Sequence, residues 1–202
     1  ENALNYFTSH VYDQGLYVAG FMRYEAAEAY NLASHNPHYD CLPLLCFGLY
    51  DRQNEVKVMV MPYGEYQVGE WRVALDWPAY NSAIAAIKSY IAQGHTYQVN
   101  YTMPLSASFS GDPWALYRDL TESQQAHSMA YLDLGRFVIC SSSPELFFLR
   151  EGLQFMSKPM KGTARRGRTL TEDHLQMRWL QNSEKNRAEN VMIVDMIRND
   201  FG

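Results

Sequence analysis

SSSPELFFLREGLQFMSKPMKGTARRGRTLTEDHLQMRWLQNSEKNRAENVMIVDMIRNDFG, residues 141–202, passes from strand signals to helix signals, and its reading decides the fold class. Residues 146–150, four bulky apolar side chains and Arg150, read as a strand, Glu151-Gly152 is a turn, and a further strand follows it. Just upstream, residues 128–133 and 137–141 read as two more strands turned at Gly135. The back of the stretch reads as two helices. Thr171 caps the first, whose opening turn carries Glu172 and Asp173 at the positive end of the helix dipole; Ser183 caps the second, which runs through Val191 and Ile197. Strand-rich sequence with flanking helices indicates an α+β fold.

Working back from there, residues 15–24 (GLYVAGFMRY) have the content of a buried strand, and residues 25–30 are helix-forming. After a polar loop, residues 42–50 (LPLLCFGLY) form another strand. Residues 55–61 (EVKVMVM) alternate and are predicted to make a hairpin with it across residues 52–54. Residues 63–76 have no strong period. Pro78 begins a helix with Tyr80, Ile84, Ile87 and Ile91 on one face and Gly94 as its stop. Residues 97–109 alternate cleanly, which predicts one long strand, with Gln98 and Asn100 on its hydrogen-bonding face. That face meets either solvent or a cavity. Asp112 and Pro113 open a short helix that buries Trp114, Tyr117 and Leu120.

At 202 residues, 47% of them hydrophobic and 14% aromatic, the chain is long enough to bury a sizeable core as one domain without staples. A net charge of -5 argues against a general nucleic-acid binder, which needs basic surface to neutralise phosphates. Cys41, Cys46 and Cys140 are odd in number and lack the paired spacing of a zinc site, so reduced cytosolic thiols are expected. No apolar run approaches the roughly 20 residues that cross a bilayer, and no leader pattern opens the chain. The expectation is a soluble cytoplasmic protein with neither a nucleic-acid nor a membrane partner.

Three residues of the opening stretch carry chemistry. Lys161 lies between Met160 and Gly162, in a segment whose bend can push its side chain into a cleft. As a nucleophile it must lose a proton, and at the ordinary lysine pKa only about 0.04% is neutral at pH 7, so burial or neighbouring cations must help. The bland alternative is a solvated loop shared with Lys158, Arg165, Arg166 and Arg168. Glu145, beside LFFL, is either a general acid in apolar surroundings or a surface turn residue. Glu189 is either an exposed i,i+4 partner of Lys185 or, because NVMIVDMI is too apolar for a bare helix, a buried carboxylate wanting a cation such as magnesium. Asp195 and Asp200 lie on the same helix.

Together YQVN (97–100), SSSPELFF (141–148), KPMKGTARRG (158–167) and AENVMIVDMIRNDFG (188–202) resemble the chorismate-utilising enzymes, a likeness that extends diffusely back to residue 17. The resemblance implies the chorismate-binding fold of layered antiparallel sheets with outer helices. Lys161 with Gln98 is similar to the pattern of the branch that makes 4-amino-4-deoxychorismate, on the route to para-aminobenzoate and folate, from chorismate and ammonia. Anthranilate-forming members are the alternative within catalysis, and a scaffold or docking piece is the alternative outside it. By the same resemblance Glu145 matches the general acid, Glu189 a magnesium ligand, and Gly162 and Thr163 the substrate-binding turn. A glutaminase subunit or domain would supply the ammonia. The family domain continues beyond its RND motif, so the 202 residues are expected to be its front portion, inactive alone.

Overall fold

The computed structural model describes residues 2–33, 42–51 and 64–202. In chain order its elements are α1 (Asn2–Gln14), β1 (Tyr17–Met22), a 3-10 helix (Tyr24–Tyr30), β2 (Leu45–Tyr50), β3 (Tyr66–Val68), β4 (Arg72–Val73), α2 (Trp77–Ala92), β5 (Leu105–Ser106), β6 (Phe109–Gly111), α3 (Pro113–Gln124), β7 (Ser128–Asp133), β8 (Val138–Ser143), β9 (Leu149–Glu151), β10 (Gln154–Met156), α4 (Leu170–Asn182) and α5 (Glu184–Phe201). This is mixed α and β structure, with the strands joined in small antiparallel pairs. The expected hairpin partner at residues 55–61 and the thiol of Cys41 lie outside the described residues. No helix among the described residues is long and apolar enough to cross a membrane.

The chain divides into two compact units, Glu1–Met61 with Leu120–Gly202, and Pro62–Asp119. In the first, β1 and β2 pair from Tyr17↔Tyr50 to Met22↔Leu45, and Phe7 of α1 meets Phe47 with ring centres 5.4 Å apart. β7 and β8 pair from Ser128↔Ser143 to Asp133↔Val138, and their turn is closed where Asp133 Oδ1 accepts from the Gly135 N–H at 2.8 Å. All six residues of β8 are half-buried, and burial pushes the Cys140 thiol pKa upward. β9 and β10 form a tight hairpin whose Phe155 packs on Phe201, at the far end of α5, 5.5 Å between ring centres.

In the second unit β3 pairs with β6 and β4 with β5. Asp76 caps α2 by accepting from the Ala79 N–H at 2.9 Å, with Pro78 in the first turn. Gly94, at φ 76°, ends the helix. The long strand predicted over residues 97–109 is replaced by two short pieces, β5 and β6. Alternation makes a strand only where a ladder partner exists, and Pro104 brings no N–H to one. Upstream of it the polar groups bond locally: Thr96 Oγ1 donates to the Gln98 carbonyl at 3.0 Å, and Gln98 Nε2 to Asn100 Oδ1 at 3.2 Å.

The sizeable core expected from length is not found among the described residues, where only Ala26 and Ala115 are buried, at 6% and 7% exposure. A two-stranded pair has two faces and nothing beside it, so its apolar side chains stay in water unless another layer covers them.

Candidate active site

In the first unit Glu145 reaches the backbone beside Lys161, and Gly162 abuts the first turn of the helix that carries Glu189. Glu145 follows Pro144 in the turn after β8, where Ser143 Oγ donates to its carbonyl at 2.9 Å. Its Oε1 accepts from the Met160 N–H at 3.0 Å, so the carboxylate touches the residue next to Lys161. The apolar shelter foreseen for it is absent: Glu145 is exposed and Phe147 is 82% exposed. The run LFFL enters its strand only at Leu149, and Phe148 turns instead toward Phe155 and Phe201.

Lys161 lies in a stretch with no helix or strand between β10 and α4. Of the five cations there, Lys158, Arg165, Arg166 and Arg168 are exposed, and Lys161 alone is half-buried. Gly162 has φ 77°, a left-handed conformation that glycine takes without strain. A Cβ built on it would lie 3.0 Å from Asn186 Cγ. Asn186 belongs to the first turn of α5, where its N–H donates to the capping Ser183 Oγ. Thr163, the other half of the turn, is exposed.

Glu189 stands one helical turn beyond Asn186, on the half-buried face of α5 that continues through Ile193 and Ile197. Its Oε1 is 3.8 Å from Lys185 Nζ, the i,i+4 pair that the spacing allowed. The reading of this helix as buried is corrected. Val191 is 69% exposed, and Asp195 bonds Arg198 at 2.6 Å on the open side, because nothing among the described residues covers that face. Among the described residues no three His, Cys, Asp or Glu side chains gather to hold a metal ion. Gln98 belongs to the second unit, half-buried and bonded to Asn100.

Sequence reading missed Asn186, and it gave Asp173 only a dipole role. The structure ties Asp173 to the lysine segment: Oδ1 accepts from Arg166 Nε at 2.8 Å and from the Gly167 N–H at 2.9 Å, and Oδ2 accepts from Arg166 Nη2 at 2.7 Å. These donors hold its carboxyl below the usual carboxylate range. The cap of α4 is Thr169, not Thr171: its Oγ1 accepts from the Glu172 N–H at 3.2 Å. Thr169-x-x-Glu172 is the capping-box spacing, a signal present in the sequence, and Glu172 Oε2 accepts from the Arg168 N–H at 2.8 Å.

Residues 60–202 match the family described as chorismate binding enzyme. The chain is 41% identical over 134 residues to "Aminodeoxychorismate synthase component 1" of Bacillus subtilis, covering 66% of this chain and 28% of that protein. It is 38% identical over 133 residues to the protein of the same name in Klebsiella aerogenes, covering 65% and 29%. To "Anthranilate synthase component 1" of Thermus thermophilus it is 37% identical over 141 residues, covering 69% and 30%. The chain thus spans less than a third of the length of these relatives.

Proposed function

Because the chain belongs to the chorismate binding enzyme family, we propose that it carries the nucleophile and general acid of an aminodeoxychorismate synthase component 1. The reading extends the layered sheets and outer helices of that family's fold to this chain. The observation that carries it is the half-burial of Lys161 alone among five clustered cations, with the Glu145 carboxylate on the adjacent residue's N–H.

In this reading the neutral Lys161 amine forms a bond to C2 of the chorismate ring. The ring double bonds shift, and the C4–O bond breaks as Glu145 protonates the departing hydroxyl, which leaves as water. Ammonia then bonds to C4, the double bonds shift back and the C2–N bond to Lys161 breaks. The proton that ammonia sheds returns to Glu145, and the net change is chorismate plus ammonia to 4-amino-4-deoxychorismate plus water. Gly162 and Thr163 form the turn that receives the substrate. A glutaminase subunit or domain is the source of ammonia, and the cytoplasm the setting.

Glu189 is the residue we assign to magnesium. The described residues supply this carboxylate without the companions that a complete magnesium site needs, and the steps above do not pass through a metal. An anthranilate-forming reaction is the second reading, supported by the relative from Thermus thermophilus. Replacing Lys161 with Ala in the complete encoded protein tests the nucleophile. With chorismate and ammonium supplied, formation of 4-amino-4-deoxychorismate should fall to background; undiminished turnover sinks the assignment. Fluorescent anthranilate as the product of the unmodified protein would favour the second reading.

A further inference from the structure

The segment that carries Lys161 has no ladder or helical hydrogen bonds of its own from residue 157 to 168, so the groups that tether it set its position. One tether lies before the lysine, where the Met160 N–H donates to Glu145, and Gly162 abuts Asn186 just after it. The third is the strongest. Asp173, whose side chain is only 14% exposed, receives three donors from Arg166 and Gly167, and a guanidinium held on two oxygens fixes angle as well as distance. At Gly167 the segment lies so close to α4 that a Cβ would collide with the backbone of Glu172 and Asp173. Thr169 caps the helix, and the Glu172 carboxylate is spent on the Arg168 N–H. Capping α4 does not require Asp173, whose carboxylate is spent on the segment outside the helix.

We propose that Asp173 is a positioning residue for the proposed reaction, clamping Arg166 and Gly167 to the first turn of α4 so that Lys161 and Gly162 are presented in one place. Four residues separate Gly162 from Gly167, a span short enough that release at one end moves the other. The proposal rests on the reading of Lys161 as the nucleophile. A misplaced reacting group costs turnover on the order of a hundredfold.

The test compares Asp173→Asn, Asp173→Glu and Lys161→Ala in the complete encoded protein. It follows turnover of chorismate with ammonium and amide hydrogen exchange at Gly162, Gly167 and along β7 and β8. For Asp173→Asn we expect kcat to fall ten- to a hundredfold as Lys161 is misplaced, with KM rising because Gly162 of the substrate-receiving turn loosens with it. Exchange should quicken at Gly162 and Gly167 and stay unchanged in β7 and β8, and Asp173→Glu should recover part of the loss. Faster exchange at Gly167 with kcat intact overturns the proposal. So does a fall in kcat accompanied by lost protection throughout β7 and β8, the mark of a role in stability alone. Turnover retained by Lys161→Ala overturns instead the nucleophile reading on which it rests.

Discussion

Gly162 and Gly135 share a left-handed backbone, φ 77° and 75°, but differ in surroundings, and that pair separates conformational strain from contact. At Gly135 a Cβ would meet nothing within 4 Å; at Gly162 it would press on the Asn186 side chain. Gly135→Ala should therefore cost only the left-handed penalty, about 1 kcal/mol, whereas Gly162→Ala should cost more in denaturant unfolding. Adding Asn186→Ala to Gly162→Ala should recover the excess, since neighbours that clash are non-additive; full additivity would show that Asn186 does not confine the loop. Asp173 supplies a pH dependence of definite sign. Its carboxyl is lowered first by the Arg166 hydrogen bonds and next by the Gly167 N–H; burial opposes them, and the charges of Arg166 and His174 add to the lowering. A group lowered on folding stabilises above its unfolded pKa, about 3.9, and that stabilisation is lost as pH falls through the folded value. The clamp should thus be complete at neutral pH and release only in acid below the ordinary carboxylate range. Exchange protection at Gly167 surviving full protonation would contradict it.

Helices α2 to α5 were legible because their ends are written in local chemistry, α1 went unread, and strands were less legible because their partners are not. Asp76, Pro78 and Gly94 mark α2 in sequence and bound it in the structure. Ser183 opens α5 as read. The cap of α4 was misplaced by two residues, since both Thr169 and Thr171 precede an acidic turn and only the capping-box spacing to Glu172 chooses between them. That choice is testable: Thr169→Ala should cost about 1 kcal/mol in chemical denaturation, while Thr171→Ala, at an exposed position inside the helix, should gain a few tenths because alanine is the better helix former. Equal losses would put the cap elsewhere. The alternation over residues 97–109 was real, but period two records which side chains share a face, not whether a neighbouring strand takes up the backbone. The candidate site divides in the same way. Lys161, Glu145 and Gly162 stood out by residue type and setting, whereas Asp173 meets Arg166 and Gly167 across a bend in the chain and Asn186 meets Gly162 from α5, contacts that local periodicity does not report.

At the scale of the molecule, apolar surface is the governing quantity. Every sheet described has two strands, and a two-stranded pair is marginal in water without another layer. Large apolar side chains stay open on both the β9–β10 hairpin and α5, with Leu153, Phe155, Val191 and Val194 among them. Cooperative unfolding depends on apolar area withdrawn from water, and the slope of stability against denaturant scales with the area exposed on unfolding. With two alanines as the buried apolar residues among those described, the 202-residue chain prepared by itself should unfold in urea over a broad range, with a slope below the usual 1–3 kcal/mol/M of small proteins. It should bind a hydrophobic dye such as ANS before any denaturant is added, as partly packed states do. If a longer form of the protein covers these faces, the same dye should be excluded from it and the transition should sharpen. A steep urea transition without dye binding in the 202-residue chain would mean that the exposed faces are covered in solution, for instance by a second copy. Sedimentation at two concentrations would then reveal that copy.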